Sequence, residues 1–293
     1  MNKLILNSYA KLNLYLEVLH KRKDNYHNIK TIFERIDLSD KIALIARQDK
    51  QIKISCNLPE LTRDHSKNLA YLSAKLLQSR SKIKKGARIK IIKRIPVAAG
   101  LGGGSSNAAA ILLGLNKLWK LNLNQSQLLT YAKKIGSDVP FFIFNTPFAQ
   151  GRGRGDRIRP LKTLNQLKLW HILVVPHKRI STPAIYKKWD SLKTGLTIHK
   201  YDDKIFLSAL RKKDPYLLEK VLFNGLELVS TELYPEIRQI RERLMHLGVK
   251  SILMSGSGPA VFGIVSSRKE AVTLARRLKE RNRLWQVFVT RTH

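Results

Sequence analysis

The sequence has little cysteine and no long apolar run. Cys56 is the only cysteine among 293 residues, which excludes an internal disulfide framework and a cysteine-based zinc site and fits a reducing cytoplasm. The longest apolar runs, such as VPFFIF and ILVV, are far too short to span a bilayer, and the opening MNKLILNSYAKLNLYL is not typical of a secretory leader. We therefore expect a cytoplasmic globular protein that has no membrane partner.

Acidic residues are also scarce, with 21 Asp and Glu against 55 Lys and Arg and a formal net charge of +34. Such a charge attracts polyanions, so a nucleic acid is one candidate partner. The basic residues are nevertheless spread over the whole length, without a basic tail and without the alternation of aromatic residues and arginines that a base-stacking surface shows. We interpret the excess as general surface basicity, which would also attract an anionic substrate, and expect no specific nucleic-acid partner.

Hydrophobic periodicity predicts two units of mixed α/β structure. In the first unit, strict alternation predicts a half-buried strand over 11–18, with Leu12, Leu14, Leu16 and Val18 on its apolar face. Further strands are predicted over 29–38, 41–46, 51–56 and 169–175, and helices over 67–79 and 124–135. We expect the first of these helices to bury Leu69, Leu72 and Leu76, and the second to begin with a capping box of Asn124 and Gln127.

The second unit follows a polar connection that runs to Lys204. Its predicted elements are a helix over 235–246, strands over 250–254 and 260–265, a helix over 268–281 and a strand over 285–290. This order is typical of a ferredoxin-like α/β sandwich. Between the first two strands lies a glycine turn at 255–260, which by itself predicts only a hairpin loop.

Glycine is concentrated in the stretch PVAAGLGGGSSNAAA at 96–110, which an isoleucine-rich strand precedes. The clustered glycines leave the backbone too free for a regular strand or helix within the run. After the glycines, helical spacing predicts a helix with buried Ala108, Ile111, Leu112, Leu115 and Trp119. We expect Ser105 or Ser106 to cap this helix, so that its free N–H groups face the loop and suit a phosphate. A flexible turn is the alternative, but a turn needs only one or two glycines.

The glycine loop lacks the Lys-Ser/Thr pair of a Walker A loop, and the chain lacks the H-R-D and D-F-G motifs of protein kinases. It resembles instead the phosphate loop of the GHMP kinases, which include galactokinase, homoserine kinase and mevalonate kinase. Three further stretches resemble the same family, in matching order and spacing along nearly the whole chain: SYAKLNLYLEV with DNYHNI, IGSDVPFF, and MSGSGPAVFG. This set is most similar to the members that phosphorylate a cytidyl diphosphate sugar alcohol on the methylerythritol phosphate route to isoprenoid precursors.

The resemblance implies a catalytic pair. Asp138 would accept the hydroxyl proton, and Lys11 would hold the carboxylate ionised and orient the hydroxyl. From its own stretch alone, Asp138 is better interpreted as a turn residue, with Pro140 keeping Val139 extended. Lys11, taken alone, would be an ordinary solvated strand residue.

The resemblance also implies the ligands. ATP, with Mg²⁺, would be bound by Asn68, Leu69, Lys93, Pro96, Gly100, Leu101, Gly102, Gly103, Gly104, Ser105 and Ser106. The small-molecule substrate would be bound by Asn13, Tyr26, His27, Thr182 and Tyr186, with the two tyrosines sandwiching the cytosine and His27 bonding its edge. No side chain is assigned as a metal ligand. The family usually has phenylalanine at Tyr186 and more often glutamate at Asp156.

The implied fold is α/β (α+β), the GHMP kinase fold. It consists of an ATP-binding N-terminal domain over 1–163, like a domain of a ribosomal protein, and a ferredoxin-like C-terminal substrate domain over 164–293. The implied assembly is a monomer or a weak homodimer. Two alternatives remain open: another GHMP small-molecule kinase, and a basic RNA-binding protein of related fold.

Overall fold

The computed structural model describes residues 3–178, 180–192 and 203–293. The strands are β1 Lys3–Lys21, β2 His27–Arg47, β3 Ile52–Cys56, β4 Gly86–Ile92, β5 Phe148–Arg152, β6 Arg157–Pro160, β7 Trp170–Pro176, β8 Phe223–Asn224, β9 Ser251–Met254, β10 Val261–Val265 and β11 Trp285–Arg291. The α-helices are α1 Leu69–Arg80, α2 Gly103–Leu118, α3 Gln125–Ile135, α4 Val139–Ile143, α5 Thr182–Ser191, α6 Asp203–Lys212, α7 Pro215–Val221, α8 Glu227–Leu233, α9 Pro235–His246 and α10 Arg268–Arg281. Short 3₁₀ turns lie at Pro59–Leu61, His65–Lys67 and Lys162–Leu164.

The first sheet has the order β3-β4-β2-β1-β8. Strand β5 of the hairpin β5-β6 pairs with residues 31–34 of β2. Its centre is the long antiparallel pair of β1 and β2, which runs from Lys3 opposite Ile45 to Lys21 opposite His27. The two strands predicted over 29–38 and 41–46 are therefore one strand. Its register shifts opposite Tyr9 and Ala10, where the sequence suggested a break. The strand predicted over 51–56 is confirmed as β3.

The middle of β1 is buried on both faces, so the prediction of a half-buried strand is wrong there. Lys11, Asn13, Tyr15 and Glu17, on the polar face, are all buried. The cover comes from the C-terminal half of the chain: β8 pairs with β1 at Tyr15, and the Asn13 N–H donates to Ser255 Oγ at 3.3 Å. Burial of a lysine and an asparagine in this way requires polar partners, which the site described below provides.

Helix α2 starts two to three residues earlier than the predicted serine caps. It begins at Gly103 after a left-handed Gly102, and no side chain caps it, so both the cap and the exclusion of helix from the glycine run are wrong. Gly103 and Gly104 form the first turn of the helix. The five apolar positions predicted for this helix are all buried, as expected.

Helix α1 buries a different stripe from the one predicted. Its buried residues are Ala70, Ser73, Ala74 and Leu77, while the leucines at 69, 72 and 76 are only partly covered. Small side chains on this face let α1 pack closely against α2. The size of the side chains, which a count of apolar positions ignores, determined the stripe.

The two remaining local predictions of the first unit had opposite outcomes. The capping box of α3 is confirmed, since Asn124 Oδ1 accepts from the Gln127 N–H at 3.0 Å and Gln127 Oε1 accepts from the Asn124 N–H at 2.9 Å. The extended conformation predicted at Val139 is wrong, because Val139 and Pro140 form the first turn of α4. Proline is tolerated there because the first N–H groups of a helix have no intrahelical partner.

The second sheet is a four-stranded antiparallel sheet of order β11-β7-β10-β9. With α9 between β7 and β9 and α10 between β10 and β11, it has the predicted ferredoxin-like order. The strand predicted over 169–175 is confirmed as β7 and belongs to this sheet. The predicted polar connection begins with α5, and its part at 193–202 lies outside the described residues.

The buried residues form three clusters. One lies between the first sheet and helices α1 to α4, and one beside the second sheet with α5, α8, α9 and α10. The third joins the two halves, because it contains Leu12 and Leu14 of β1 together with Leu173 of β7 and Phe262 of β10. The halves are therefore held against each other by a continuous apolar contact next to the buried polar face of β1.

Leu115→Ala tests how much α2 depends on its buried stripe. Leu115 is fully buried, so truncation should lower the free energy of unfolding by about 2–5 kcal/mol. Leu113→Ala is the matched control on the same helix, since Leu113 is 39% exposed and should cost only about 0.5 kcal/mol. Denaturant unfolding measures both, and equal losses would contradict the assigned stripe.

Candidate active site

Two cavities meet at the glycine loop. The aromatic cavity, of about 570 Å³, extends from Lys11 and Asp138 to Tyr26, His27 and Tyr186. The glycine-loop cavity, of about 490 Å³, lies between the loop and the start of α1. Both cavities share part of their lining: Ala98, Gly100, Gly102, Ser105 and Thr182. A group bound at the loop could therefore reach a molecule in the aromatic cavity.

The loop presents backbone donors at the start of α2. Gly100 and Gly102 have φ angles of +76° and +68°, in the left-handed region that favours glycine. The chain then enters the helix at Gly103, whose first N–H groups have no intrahelical partner. These N–H groups form the positive end of the α2 dipole, and the residues that carry them line the cavity. This arrangement is one that binds phosphate.

Ten of the eleven residues predicted to bind ATP line the glycine-loop cavity: Asn68, Leu69, Lys93, Pro96, Gly100, Leu101, Gly102, Gly103, Gly104 and Ser105. The exception is Ser106, which lies behind the loop. Its side chain is buried and accepts a 2.7 Å hydrogen bond from Ser8, and its N–H donates to the Gly102 carbonyl. Ser106 therefore supports the loop from behind, because its side chain is buried against Ser8 and its N–H is bonded to the Gly102 carbonyl.

A buried carboxylate holds the base of the loop. Asp40 is fully buried, and its Oδ1 accepts from the N–H groups of Arg94 and Ile95 at 2.7 and 2.9 Å. Its Oδ2 accepts from Lys93 Nζ and from Asn107 Nδ2. The Lys93 ammonium thus lies beneath the loop, next to Gly103, as the ion-pair partner of Asp40. Asp40 and Asn107 had no recognisable signal in the sequence.

The glycine turn of the second unit supports the loop from the other side. Ser255 Oγ donates to the Gly100 carbonyl at 3.0 Å, and the Ala260 N–H donates to the Ala99 carbonyl at 3.3 Å. Asn224 in turn donates to the carbonyls of Met254 and Gly256 at 2.7 and 2.8 Å. The plain hairpin loop of the sequence prediction is therefore also the support on which the phosphate loop rests.

Lys11 and Asp138 meet where the two cavities join. Lys11 Nζ lies 3.7 Å from Asp138 Oδ2 and donates to Asn13 Oδ1. Asn13 Nδ2 then donates to Thr31 Oγ1 at 2.7 Å, which keeps the amide orientation. The carboxylate of Asp138 does not cap α4 and is 32% exposed toward the cavity, so it is available to a substrate.

Burial lowers the pKa of Lys11, and the neighbouring Asp138 carboxylate raises it again in part. The charge of the ammonium therefore depends on its acidic partner. A lysine in this setting is not the solvated strand residue that its type alone would suggest.

The far end of the aromatic cavity is built around His27. The ring of His27 stacks on Tyr186 at a centroid distance of 5.1 Å and meets Trp189 edge-on at 5.3 Å. Its Nε2 bonds Asp190 Oδ1 at 2.7 Å, and Lys21 Nζ donates to the other carboxylate oxygen at 2.6 Å. Burial raises the pKa of Tyr186, and Asp138 adds to that effect, so the phenol stays neutral.

Tyr26 is 54% exposed, and its ring already has one partner. The Arg154 guanidinium lies 5.0 Å from the ring centroid. Arg154 lies over one face of Tyr26, and His27 covers part of one face of Tyr186. Arg154 was missed because its GRGRGD context indicates only glycine turns.

Two more predicted positions have local partners. Thr182 Oγ1 lies 2.7 Å from Ser257 Oγ, so the start of α5 is tied to the second glycine turn at the mouth of the cavity. Asp156 Oδ1 accepts from the Arg154 N–H at 3.0 Å and so shapes the turn that carries Arg154. The side chain of aspartate is shorter than that of the family's usual glutamate, and it reaches the N–H two residues before it.

The described part of the chain contains neither a cluster of metal-ligating side chains nor a helix that could cross a membrane. Over residues 3–178, 180–192 and 203–293 there is no group of three or more His, Cys, Asp or Glu side chains that could hold a metal ion. The helices in those ranges also lack the combination of length and apolar character that a membrane-crossing segment needs.

Comparison with known proteins identifies the same family that the sequence motifs resemble. The family model of the GHMP kinases N terminal domain matches residues 68–146, and that of the GHMP kinases C terminal domain matches 206–284. A relative from Moorella thermoacetica, named 4-diphosphocytidyl-2-C-methyl-D-erythritol kinase, is 41% identical over 293 residues and covers 100% of both chains. The chain belongs to the 4-diphosphocytidyl-2-C-methyl-D-erythritol kinase family of GHMP kinases.

Other members of this family agree. A relative of the same name from Geobacillus sp. strain WCH70 is 43% identical over 90% of this chain and 88% of its own. The crystal structure of a 4-(cytidine 5'-diphospho)-2C-methyl-D-erythritol kinase superposes with a TM-score of 0.81 at 31% identity, over 99% of this chain and 100% of that one. Homoserine kinase from Cytophaga hutchinsonii, at 16% identity and a TM-score of 0.74, covers 100% of this chain and 95% of its own and shares the GHMP kinase fold.

Gly100→Ala tests the contact between the two glycine turns. A Cβ at Gly100 would lie 2.0 Å from the Ser255 carbonyl oxygen, so the loop must move away from its support. We expect the KM for ATP to rise by roughly tenfold or more, since misplaced backbone donors lose their phosphate bonds. Steady-state kinetics with ATP as the varied substrate measure this effect.

Gly248→Ala is the matched control. Gly248 also has a positive φ, of +86°, but a Cβ there meets nothing within 4 Å. Its variant should lose only about 1 kcal/mol of stability and keep the KM for ATP. A rise in the KM of both variants would show that backbone strain in general, and not the loop contact, is responsible.

Proposed function

We propose that this protein transfers the γ-phosphoryl group of ATP to the 2-hydroxyl of 4-diphosphocytidyl-2-C-methyl-D-erythritol, in the methylerythritol phosphate route to isoprenoid precursors. The observation that carries the proposal is the Lys11–Asp138 pair, placed where a phosphate-binding loop and an aromatic cavity join. The name shared by relatives at 41 and 43% identity supplies the acceptor.

The geometry supports a division of labour in phosphoryl transfer. The N–H groups at the start of α2 would bind the ATP phosphates, and the Lys93 charge beneath them would offset the negative charge. Asp138 would orient the acceptor hydroxyl and take its proton, while Lys11 would fix the carboxylate and bind the hydroxyl oxygen. Because the transition state of phosphoryl transfer is loose, positioning by these groups contributes more than basicity does.

Mg²⁺ fits this site only as a companion of the nucleotide. It usually binds through substrate phosphates with one or two carboxylates and several waters. In the described residues the cavity wall offers the Asp138 carboxylate and the Ser105 hydroxyl, which suits that mode and not an all-protein cage. Bound there, the ion would neutralise charge on the phosphates.

The aromatic cavity supports a cytidyl acceptor. Tyr26 and Tyr186 would stack on the base, and the base would lie on the same side of Tyr186 as His27, edge to edge with the imidazole, so that His27 could bond its edge. Arg154, which lies over Tyr26 and lines the cavity, would bind the acceptor diphosphate, since guanidinium groups pair well with phosphates. Asn13 and Thr182 line the passage between the base and the reacting hydroxyl.

We further propose domain limits of 1–163 and 164–293, a cytoplasmic setting in keeping with the single free Cys56, and a monomer or weak homodimer. An acceptor of another GHMP kinase, such as homoserine or mevalonate, has no base that would fill the aromatic cavity. A plain RNA-binding protein would not need Lys11 buried beside the cavity-facing Asp138. The net charge of +34 then acts as a general attraction for two anionic substrates.

An acceptor screen with γ-labelled ATP and Mg²⁺ tests the function. We expect kcat/KM for the cytidyl compound to exceed that for homoserine or mevalonate by roughly a hundredfold or more, because only the base fills the aromatic cavity. Preferred phosphorylation of homoserine or mevalonate would overturn the acceptor. A parallel RNA-binding titration should show weak binding that falls steeply with salt, whereas tight, sequence-selective binding would favour the RNA-binding alternative.

Asp138→Asn tests the catalytic pair. The amide keeps the shape but cannot accept the proton, so kcat should fall by roughly two to four orders of magnitude with folding intact. Asp37→Asn is the control, because Asp37 is a partly exposed carboxylate that faces Arg291, outside both cavities. Single-turnover assays with both variants decide the matter, and near-normal turnover of Asp138→Asn would remove it from the mechanism.

A further inference from the structure

One acidic side chain beside the aromatic cavity has no part in the mechanism above. Asp190 lies in the last turn of α5, one turn beyond Tyr186, so the two side chains share a face of the helix. That face places the Tyr186 ring on one side of His27 and the Asp190 carboxylate at its Nε2, 2.7 Å away. The ring itself is 3% exposed, and the carboxylate 28%.

Helix stability does not account for this carboxylate. The C-terminal turn of a helix carries partial negative charge, so an aspartate there is unfavourable. The contacts of Asp190 are instead with His27 on β2 and with Lys21 on β1, outside its own helix. Burial would raise the pKa of Asp190, but the hydrogen bonds from Lys21 and His27 outweigh it and lower the pKa, so the carboxylate is ionised at neutral pH.

An ionised carboxylate can only accept hydrogen bonds, so the proton of His27 must be on Nε2. In the neutral imidazole, Nδ1 is then an acceptor. Nδ1 has no hydrogen-bond partner among the described residues, and His27 lines the aromatic cavity. The ring stacks on Tyr186 and meets Trp189 edge-on, and both contacts oppose its rotation.

We infer that Asp190 is a positioning residue for base selection: by holding the proton of His27 on Nε2, it presents Nδ1 to the base as an acceptor. Such an acceptor matches the exocyclic amino group of cytosine and opposes the carbonyl oxygen that uracil has at the same position. The stacking tyrosines cannot make this distinction, since every base has a π-face. The inference rests on the proposed function, because it assigns the base of that acceptor.

Kinetics with the cytidyl acceptor and its uridyl analogue at pH 8 test the inference. In Asp190→Ala, we expect the ratio of the two kcat/KM values to fall about tenfold, the worth of one directed hydrogen bond in a buried site. The loss should be in the KM for the cytidyl acceptor, with the KM for ATP unchanged. Alanine is a good helix former at this partly exposed position, so the variant should fold.

Two other variants separate positioning from simple support. Glu232 pairs with Lys188 of α5 at 2.9 Å but does not touch His27, so Glu232→Ala removes an ion pair from the same helix and should leave the ratio unchanged. Tyr26→Ala should raise the KM of both acceptors equally, because stacking does not distinguish the bases. An equal loss of selectivity in Glu232→Ala, or an unchanged ratio in Asp190→Ala, would overturn the inference.

A spectroscopic measurement is independent of the reaction. In ¹⁵N-histidine-labelled protein without substrate, the His27 signals, identified by their loss in His27→Ala, should show a protonated Nε2 and a bare Nδ1 in the wild type. Asp190→Ala should show a mixture of tautomers. A proton on Nδ1 in the wild type would overturn the inference, whereas failure of the cytidyl acceptor to react at all, with the expected spectrum, would count against the proposed function alone.

Discussion

The structure depends on the close contact of two glycine turns, one from each half of the chain. Gly100 and the Ser255 carbonyl are so close that no side chain fits between them, and Ser255 Oγ holds the Gly100 carbonyl. A second backbone contact fixes the glycine loop beside the middle of β1, where the Lys11 N–H donates to the Leu101 carbonyl at 3.0 Å. The glycine loop and Lys11 are therefore positioned by adjacent contacts of one backbone segment.

Around this contact, buried polar and charged side chains are held by specific partners. Asp40 under the loop, Lys11 beside Asp138 and His27 beside Asp190 each pair a buried group with an opposite or complementary partner. An unpaired group in any of these places would be costly, so each pair constrains the geometry of its neighbourhood. The candidate site is thus most constrained at these three pairs, whereas Tyr26 is 54% exposed.

Much of the site could be predicted from motifs because each motif carries local backbone chemistry. The glycine loop, the turn before α4 and the C-terminal glycine turn bring their own φ angles and free N–H groups wherever they occur. Asp40, Asn107, Arg154 and Asp190 carry no such signal, since their roles arise from neighbours distant in the sequence: Asp40 from Lys93, and Asp190 from His27. The stacking of His27 on Tyr186 likewise joins the start of β2 to α5, which are far apart in the chain.

The sequence by itself determined the strand–glycine loop–helix unit, the capping box of α3, the buried face of α2 and the ferredoxin-like order, because periodicity and capping are local properties. The tertiary structure decided which face of β1 meets water, where α2 begins and which stripe of α1 is buried. Those outcomes depend on what packs against each element: β8 and Ser255 cover β1, Gly102 opens α2 without a cap, and α2 selects the small residues of α1. Long-range packing therefore turned a solvent-facing lysine position into the buried partner of Asp138.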